Sequence, residues 1–234
     1  MRIVTWNYQM GFERKAEALL ALNADVAVVP ECSERSVTGL HQLGYNALWF
    51  GSNSRKGLAV ISRREWPIQA IAPPQQKWIV PITVDAPKPF TLIAVWACRV
   101  GLKKTDNYVG QVYQALTSNP DWFNGNPVVV AGDLNSNAIW DAERLVGNHS
   151  AVVKFLNDRG VVSAYHELFL EPHGRESRPT IHLYRHKNRP FHIDYVFIPR
   201  EWATRLESVV VGEYEEWSKL SDHLPVIVDL RDPQ

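Results

Sequence analysis

Residues 221–230 read SDHLPVIVDL, and the apolar half of this stretch predicts a buried β-strand. Pro225 is tolerated because it lies at the beginning of the strand, where a missing backbone donor costs little. Burying an unpaired charge is unfavourable, so Asp222 and His223 are expected to lie just outside the dry part of the strand. Taken alone, SDH is also compatible with an ordinary turn, so its meaning depends on what the rest of the chain places beside it.

Four further predicted strands carry a polar residue of catalytic type at or near one end. These residues are Asn7 in TWN, Glu31 in VAVVPE, Asp133 and Asn135 in GDLN, and Asp194 in FHIDYVF. Taken singly, Asn7 is typical of a turn cap, Glu31 of an exposed loop acid, and GDLN of a turn. Asp194 lies inside an apolar strand, where an unpaired carboxylate is costly. Together with SDH, these strand ends predict one shared cleft rich in carboxylates.

Such a cleft suits a hard divalent cation. Mg²⁺ prefers oxygen ligands and is often held by one or two carboxylates together with substrate phosphate. We therefore expect Mg²⁺, with Mn²⁺ as a substitute. The sequence contains no HExxH motif and no Cys/His cluster, so zinc is not expected. Carboxylates, carboxamides and one histidine beside Mg²⁺ indicate phosphoryl chemistry.

Short apolar runs bounded by Gly, Pro, Asn and Asp predict many strands and few helices. The predicted strands are residues 3–6, 25–30, 45–50, 57–62, 78–84, 90–96, 127–131, 180–184, 193–198, 207–211 and 226–230. Three helices are predicted: residues 13–22, one capped by Asp106, and one capped by Ser150 and ended by Gly160. Helices are interspersed without strict alternation, which predicts one α/β domain with mixed sheets. Neither GxGxxG nor a P-loop motif is present.

The bulk composition sets limits on compartment and partners. The chain has 234 residues, 25 Lys plus Arg and 25 Asp plus Glu, so any contact with a polyanion has to be local. Cys32 and Cys98 are expected to be buried thiols in a reducing compartment. The start of the sequence has no signal-peptide pattern, and no apolar run approaches membrane-spanning length. We expect a cytoplasmic monomer formed by one domain over residues 1–234, with no membrane insertion and no evident protein partner.

The ordered series TWN, PE, GLAVISR, GDLN, HIDYVF and SDHLPV resembles the endonuclease/exonuclease/phosphatase superfamily, which has the DNase I-like fold. The resemblance covers the chain from Asn7 to His223. It implies an α/β (α+β) four-layer sandwich, in which two packed mixed β-sheets are flanked by helices. It also implies that the active site lies at one edge of the sandwich.

The resemblance implies a role for each polar strand end. Glu31 resembles the principal Mg²⁺ ligand, Asp222 a further acid of the metal site, and Asn7 a residue that lies beside the metal and helps to hold the site. The remaining residues are similar to the catalytic set: Asp133 orients or deprotonates the attacking water, Asn135 positions the nucleophile and the scissile phosphate, and Asp194 pairs with His223. An Asp–His pair fixes the imidazole tautomer and raises its pKa. We therefore expect His223 and Asp194 to lie within hydrogen-bonding distance.

Two positions depart from the abasic-site nucleases of this family. Those enzymes often have an acid where this chain has Gln9, and an aromatic pair where this chain has Ile181 and His182. The first departure argues against a second carboxylate on the metal at that place, and the second argues against an abasic-sugar pocket.

Basic and aromatic loop residues favour a nucleic acid as partner. The candidate substrate contacts are Arg55, Lys56, Arg99, Arg178 and His182, and Trp140, Phe191 and Tyr184 are candidates for stacking on bases. Each of these residues alone is more typical of a solvated loop or of packing. The sequence thus favours an Mg²⁺-dependent phosphodiesterase, most simply a nuclease. Hydrolysis of a small or lipid-derived phosphate ester and an inactive binding module are the alternatives.

Overall fold

The computed structural model describes residues 1–10, 15–72, 76–100, 108–142 and 147–232. Its strands are β1 (Arg2–Thr5), β2 (Val26–Cys32), β3 (Asn46–Asn53), β4 (Lys56–Ser62), β5 (Ile68–Ala70), β6 (Ile79–Val84), β7 (Phe90–Trp96), β8 (Val128–Asp133), β9 (Val161–Ser163), β10 (Ile181–His182), β11 (Pro190–Phe191), β12 (Asp194–Pro199), β13 (Leu206–Val211) and β14 (Val226–Leu230). Its helices are α1 (Ala16–Ala21), α2 (Glu34–Gln42), α3 (Val109–Ser118), α4 (His149–Asn157), α5 (Ala164–Phe169) and α6 (Tyr214–Trp217). No helix of these segments is long and apolar enough to cross a membrane.

Two six-stranded mixed sheets form the body of the fold. The first has the strand order β13-β14-β1-β2-β4-β3, and the second has the order β5-β6-β7-β8-β12-β9. A short two-stranded ribbon of β10 and β11 lies beside them. The sheets are flanked by helices, so the predicted sandwich of two mixed sheets with outer helices is confirmed.

The side-chain alternation of the second sheet explains how the layers pack. In β7, Leu92 belongs to the large core shared with the first sheet, whereas its neighbour Ile93 belongs to a second core. That second core also contains Val112 from α3 and Val152 from α4. Because successive strand residues point to opposite faces, one face of the sheet meets the other sheet and the opposite face meets the helices.

Several predicted boundaries differ from the structure. The strand predicted at residues 180–184 is only β10, because a 3-10 helix (Leu183–Arg185) with Tyr184 at φ +56° follows at once. The cap of α4 is Asn148, whose side chain accepts a hydrogen bond from the Ala151 amide, and not Ser150. The helices α2, α5 and α6 were not predicted. The predicted first turn of residues 13–22 and the Asp106 cap lie outside the described residues.

Strand directions bring the polar ends to a common edge. β1 and β2 run parallel, and β14 runs antiparallel to β1, so the end of β1 and the start of β14 are neighbours. In the other sheet β12 runs antiparallel to β8, with Asp194 opposite Asp133. β4 runs antiparallel to β2, which places its first residue, Lys56, beside the end of β2. The topology therefore gathers the residues after β1 and at the ends of β2 and β8 with those at the starts of β4, β12 and β14.

Candidate active site

Asp133 is the last residue of β8 and is fully buried. Gly132, just before it, has φ +140°, and a Cβ there would lie 1.9 Å from the carbonyl oxygen of Val95 on the neighbouring strand β7. A glycine is therefore required for β8 to approach β7 closely at this point.

Both carboxylate oxygens of Asp133 accept hydrogen bonds. Oδ1 accepts from the Asn135 backbone amide at 2.7 Å, and Oδ2 accepts from Asn7 Nδ2 at 2.9 Å. Asn135 has φ +48°, a conformation that asparagine tolerates better than most residues. The Asn7 side chain is itself oriented, because its Oδ1 accepts from the Gln9 amide at 2.9 Å. The end of β1 thereby fixes the carboxylate at the end of β8.

His223 and Asp194 form the contact that the sequence predicts, with Nδ1 of His223 2.9 Å from Oδ2 of Asp194. Thr180 Oγ1 donates to the same Asp194 oxygen at 2.8 Å and accepts from the Ile193 and Asp194 amides. Trp6 Nε1 donates to the His223 carbonyl oxygen at 3.0 Å. Asp194 thus holds the imidazole of His223, and Trp6 holds its backbone. Asp194 Oδ1 is buried and has no hydrogen-bond partner among the described residues.

The charge states of Asp133 and His223 depend on each other and on the nearby Asp194. Burial and the nearby charge of Asp194 raise the pKa of Asp133 to about 7, although His223 acts in the opposite direction. Burial favours the neutral form of His223, but the charge and hydrogen bond of Asp194 outweigh it and raise the pKa of His223 to about 10. One ring nitrogen or carboxylate oxygen from each of these three side chains lies within 4.8 Å of the other two. His223 is therefore an imidazolium between two acids at neutral pH.

Glu31 lies at an irregularity in β2, where the register with β4 shifts between Pro30 and Cys32. Its φ is +58°, which is unusual for a glutamate, and such local strain tends to accompany functional sites. Lys56 Nζ lies 3.0 Å from Glu31 Oε2 and 5.1 Å from the centroid of the Trp96 ring. Glu31 is therefore the bulged residue of β2, between Pro30 and Cys32, which both pair with β4.

Asp222 supplies a second acid on this side of the edge. Its Oδ1 is buried and lacks a hydrogen-bond partner among the described residues, and burial raises its pKa. The charge of Glu31 acts in the same direction, so the two carboxylates influence each other. A buried carboxylate oxygen with no donor, near a second carboxylate, fits the oxygen-ligand chemistry of a divalent cation.

The predicted substrate contacts are placed less uniformly. Arg55 and Arg99 are exposed, and Lys56 is paired with Glu31. Arg178 lies 3.8 Å from Glu171 and stacks on Phe169. His182 differs from the prediction, because it is only 5% exposed and its Nδ1 lies 3.1 Å from the Lys187 carbonyl oxygen, which leaves little surface for a substrate.

Two basic groups near the edge were not predicted. Lys15 is buried, and its ammonium donates to the carbonyl oxygens of Tyr8 and Met10. Burial, together with the charge of Arg185, lowers its pKa to about 8, although Asp222 and Glu31 act in the opposite direction. Arg185 Nη2 donates at 2.9 Å to Gln9. The contact of Arg185 with Gln9 joins segments that are 176 residues apart, so the sequence gives no signal for it. The Lys15 contacts are local, but they join the side chain to backbone carbonyl oxygens, and no residue pattern marks them.

Comparison with known proteins identifies the family and the fold of this chain. Residues 4–223 match a family model described as "Endonuclease/Exonuclease/phosphatase family". The fold is similar to that of a 3′-5′ exonuclease from Neisseria meningitidis, with a TM-score of 0.75, 19% identity, and coverage of 99% of this chain and 100% of that one. A structure described as a 3′ phosphatase from Neisseria bound to product DNA hairpin gives a TM-score of 0.73 at 19% identity, with coverage of 99% and 100%.

An AP endonuclease from Archaeoglobus fulgidus is also similar, with a TM-score of 0.68, 18% identity, and coverage of 99% of this chain and 100% of that chain. A search of curated proteins found no match. At these identities the structural likeness establishes the fold, and the family rests on the match over residues 4–223.

Proposed function

The chain belongs to the endonuclease/exonuclease/phosphatase family and is a phosphoric ester hydrolase, and from this premise we propose that it is a divalent-metal-dependent nuclease, with the whole chain forming the catalytic domain. The observation that carries the proposal is the arrangement of His223, Asp133 and Asp194, whose donor atoms lie within 4.8 Å of one another. One imidazolium between two acids provides both a proton acceptor and a positive charge for a phosphate diester.

Each side chain has a defined task in this reaction. Asp133, with a pKa raised to about 7, accepts a proton from the attacking water. His223, held by Asp194, keeps its proton and donates a hydrogen bond to a phosphoryl oxygen, where negative charge grows in the transition state. Asn135 orients the water and the scissile phosphate.

Glu31, Asp222 and Asn7 would hold the cation, which we propose is Mg²⁺. When bound, this cation would neutralise charge on the phosphoryl oxygens and on the leaving oxygen. The unpartnered Asp222 Oδ1 supports this assignment. The Lys56 ammonium at Glu31 would have to give way or share the carboxylate.

An aromatic pair near the end of β8, in which Trp140 is exposed and Phe191 is half-buried, supports a nucleic-acid substrate. Trp140 is 47% exposed, and its ring centroid lies 4.9 Å from that of Phe191. Such flat apolar surfaces stack on bases without strong sequence preference. The exposed guanidinium groups of Arg55 and Arg99 are suited to backbone phosphates. One of the similar structures is described as bound to product DNA hairpin, which is consistent with this substrate class.

A cleavage screen tests the proposal. Purified protein is assayed on single-stranded DNA, duplex DNA and RNA with Mg²⁺, with Mn²⁺ and with EDTA, and Glu31→Ala serves as the control. We expect cleavage that requires the metal and is lost in the variant. If no nucleic acid is cleaved in a metal-dependent way, the nuclease assignment is wrong.

Hydrolysis of a small or lipid-derived phosphate ester is the second candidate. It is favoured by the buried Ile181 and His182, which stand where a pocket for an abasic sugar would need exposed aromatic rings. A panel of 3′-phosphorylated DNA, inositol phosphates and phospholipids separates it from the first. Steep loss of binding with added salt would favour the polymer over the small esters.

A further inference from the structure

Four histidines converge on the far side of β8 and β12 from the first sheet, near the candidate active site but separate from it. His149 begins α4, His166 lies in α5, and His173 lies in the loop that follows α5. Together with Glu176 from the same loop, these three residues are called here the histidine cluster; the fourth, His192, faces Tyr165 and Tyr195 beside it. The ligand atoms of His166, His173 and Glu176 all lie within 4.8 Å of one another.

The distances within the histidine cluster resemble those of a metal coordination sphere. His166 Nε2 lies 3.2 Å from Glu176 Oε1, and His149 Nε2 lies 3.0 Å from His173 Nδ1. The separation of His173 Nδ1 and Glu176 Oε1 is 4.0 Å. A tetrahedral zinc ion with bonds of about 2.0–2.1 Å separates its ligands by about 3.3 Å, so His166, His173 and Glu176 would need only small side-chain movements. His149 Nε2 is close to His173 but lies outside this 4.8 Å group, so its ring would have to turn further toward the ion.

The outward atoms of the cluster are already engaged. His149 Nδ1 lies 3.0 Å from Ser136 Oγ, and His166 Nδ1 lies 2.7 Å from Ser163 Oγ. Glu176 Oε2 accepts hydrogen bonds from Asn137 Nδ2 and from the Gly174 amide, both at 3.0 Å. Partners of this kind orient ligands in metal sites, because they fix the ring nitrogen or carboxylate oxygen that faces the ion.

The surroundings of the Glu176 carboxylate also favour a bound cation. The side chain is only 3% exposed, and no lysine or arginine in the part of the chain that the structure describes pairs with it. The imidazoles of His166 and His173 lie 3.2 Å and 4.0 Å from this carboxylate. A cation held by these rings would lie directly beside the buried carboxylate.

We propose that the histidine cluster binds Zn²⁺ through His166 Nε2, His173 Nδ1 and Glu176 Oε1, with His149 Nε2 as the fourth ligand. Imidazole nitrogens with one carboxylate select zinc over the magnesium expected at the strand ends. Four protein ligands leave no open position, which makes the site structural. The ion would join α4 and α5 to the loop that leads to Thr180, the residue that positions Asp194.

Zinc titration of the metal-free protein tests the proposal. Glu31→Gln is used as the background so that the strand-end acids compete less for the ion. We expect this protein to retain about one zinc ion per chain, and we expect His173→Ala or Glu176→Gln in the same background to weaken binding at least ~10-fold. His41→Ala is the matched control, because His41 is exposed on α2. Failure of the background protein to bind zinc would overturn the proposal, as would equal binding by His173→Ala and His41→Ala.

A measurement on the background protein covers the case in which the cluster variants do not fold. One sample is loaded with cobalt(II) in place of zinc, and its visible spectrum is recorded. A second sample is loaded with zinc, and its X-ray absorption is recorded at the zinc edge. We expect the strong visible bands of a tetrahedral cobalt site and multiple-scattering features from imidazole ligands. A six-coordinate, oxygen-only environment would show that the four residues form only a hydrogen-bonded network.

Discussion

The candidate active site and the histidine cluster use the same residue types for opposite purposes. His223 faces Asp194 and Asp133, which raise its pKa to about 10. Burial, together with the neighbouring imidazoles of His166 and His149, lowers the pKa of His173 to about 3. One ring therefore carries a proton through the whole neutral range, and the other presents a lone pair. Burial and neighbouring charges together, and not the residue type, decide whether a histidine acts as a cation or as a ligand.

The largest expected effect separates the two regions by turnover. His223→Ala and Asp133→Asn should lower kcat by roughly 10²–10⁴ with little change in melting temperature, because each removes a positioned proton acceptor or charge. Steady-state kinetics on the best substrate of the screen measure this effect. Glu176→Gln is the contrast from the histidine cluster, and its kcat should stay within a few-fold of wild type. Near-wild-type turnover in both active-site variants would refute the site assignment.

The pH dependence of the rate should follow the active-site pair. Asp133 must be ionised to accept a proton, so kcat/KM should rise about tenfold per pH unit and level off at or below pH 7, since a bound cation favours the carboxylate. The rate should fall again near pH 10, where His223 loses its proton. Because the groups interact, the two limbs belong to the group as a whole. His223→Ala should lose the alkaline limb, and a limb that persists in this variant would assign it to another residue.

Removal of zinc from the histidine cluster by a chelator should lower the melting temperature of the protein. At a zinc concentration of about 100 times Kd, binding to the folded state adds about 2.7 kcal/mol, which corresponds to roughly 5–10 °C in melting temperature for a chain of this length. Thermal melts of Glu31→Gln with zinc and with a chelator measure this shift. The same comparison in Glu31→Gln combined with His173→Ala should give little or no shift. A full-sized shift in the double variant would mean that the stabilising ion lies elsewhere.

The smallest expected effect concerns Lys56. Its ammonium lies 3.0 Å from Glu31 Oε2, where it opposes a cation at the same carboxylate. Lys56→Met should therefore tighten Mg²⁺ or Mn²⁺ binding several-fold, as followed by the metal concentration that gives half-maximal rate. Arg55→Met is a control of similar charge and exposed position. If metal affinity is unchanged while KM for the nucleic acid rises, Lys56 acts on the substrate, as its sequence context predicts.

The grouping of the polar strand ends was predictable from sequence because strand ends are local features. An apolar run that stops at Asn7 or Glu31 indicates a strand end, and the resemblance of the ordered motifs to a known family implies the Asp194–His223 contact, which the structure contains. The histidine cluster was not, because His149, His166 and His173 lie on different elements and no short spacing links them. The strand predicted through Tyr184 fails for a local reason: that residue has φ +56°, and β-propensity cannot reveal it.

The segment of residues 133–137 restricts which insertions and substitutions the protein can tolerate. Asp133 and Asn135 serve the strand-end site, and two residues later Asn137 Nδ2 contacts Glu176 Oε2. Insertions are usually tolerated in surface loops. One added residue here would displace either the Asn135 backbone amide, which donates to Asp133, or the Asn137 side-chain amide, which donates to Glu176. The length of this segment should therefore resist variation, and point substitutions at Asn137 should show strong epistasis with those at Glu176.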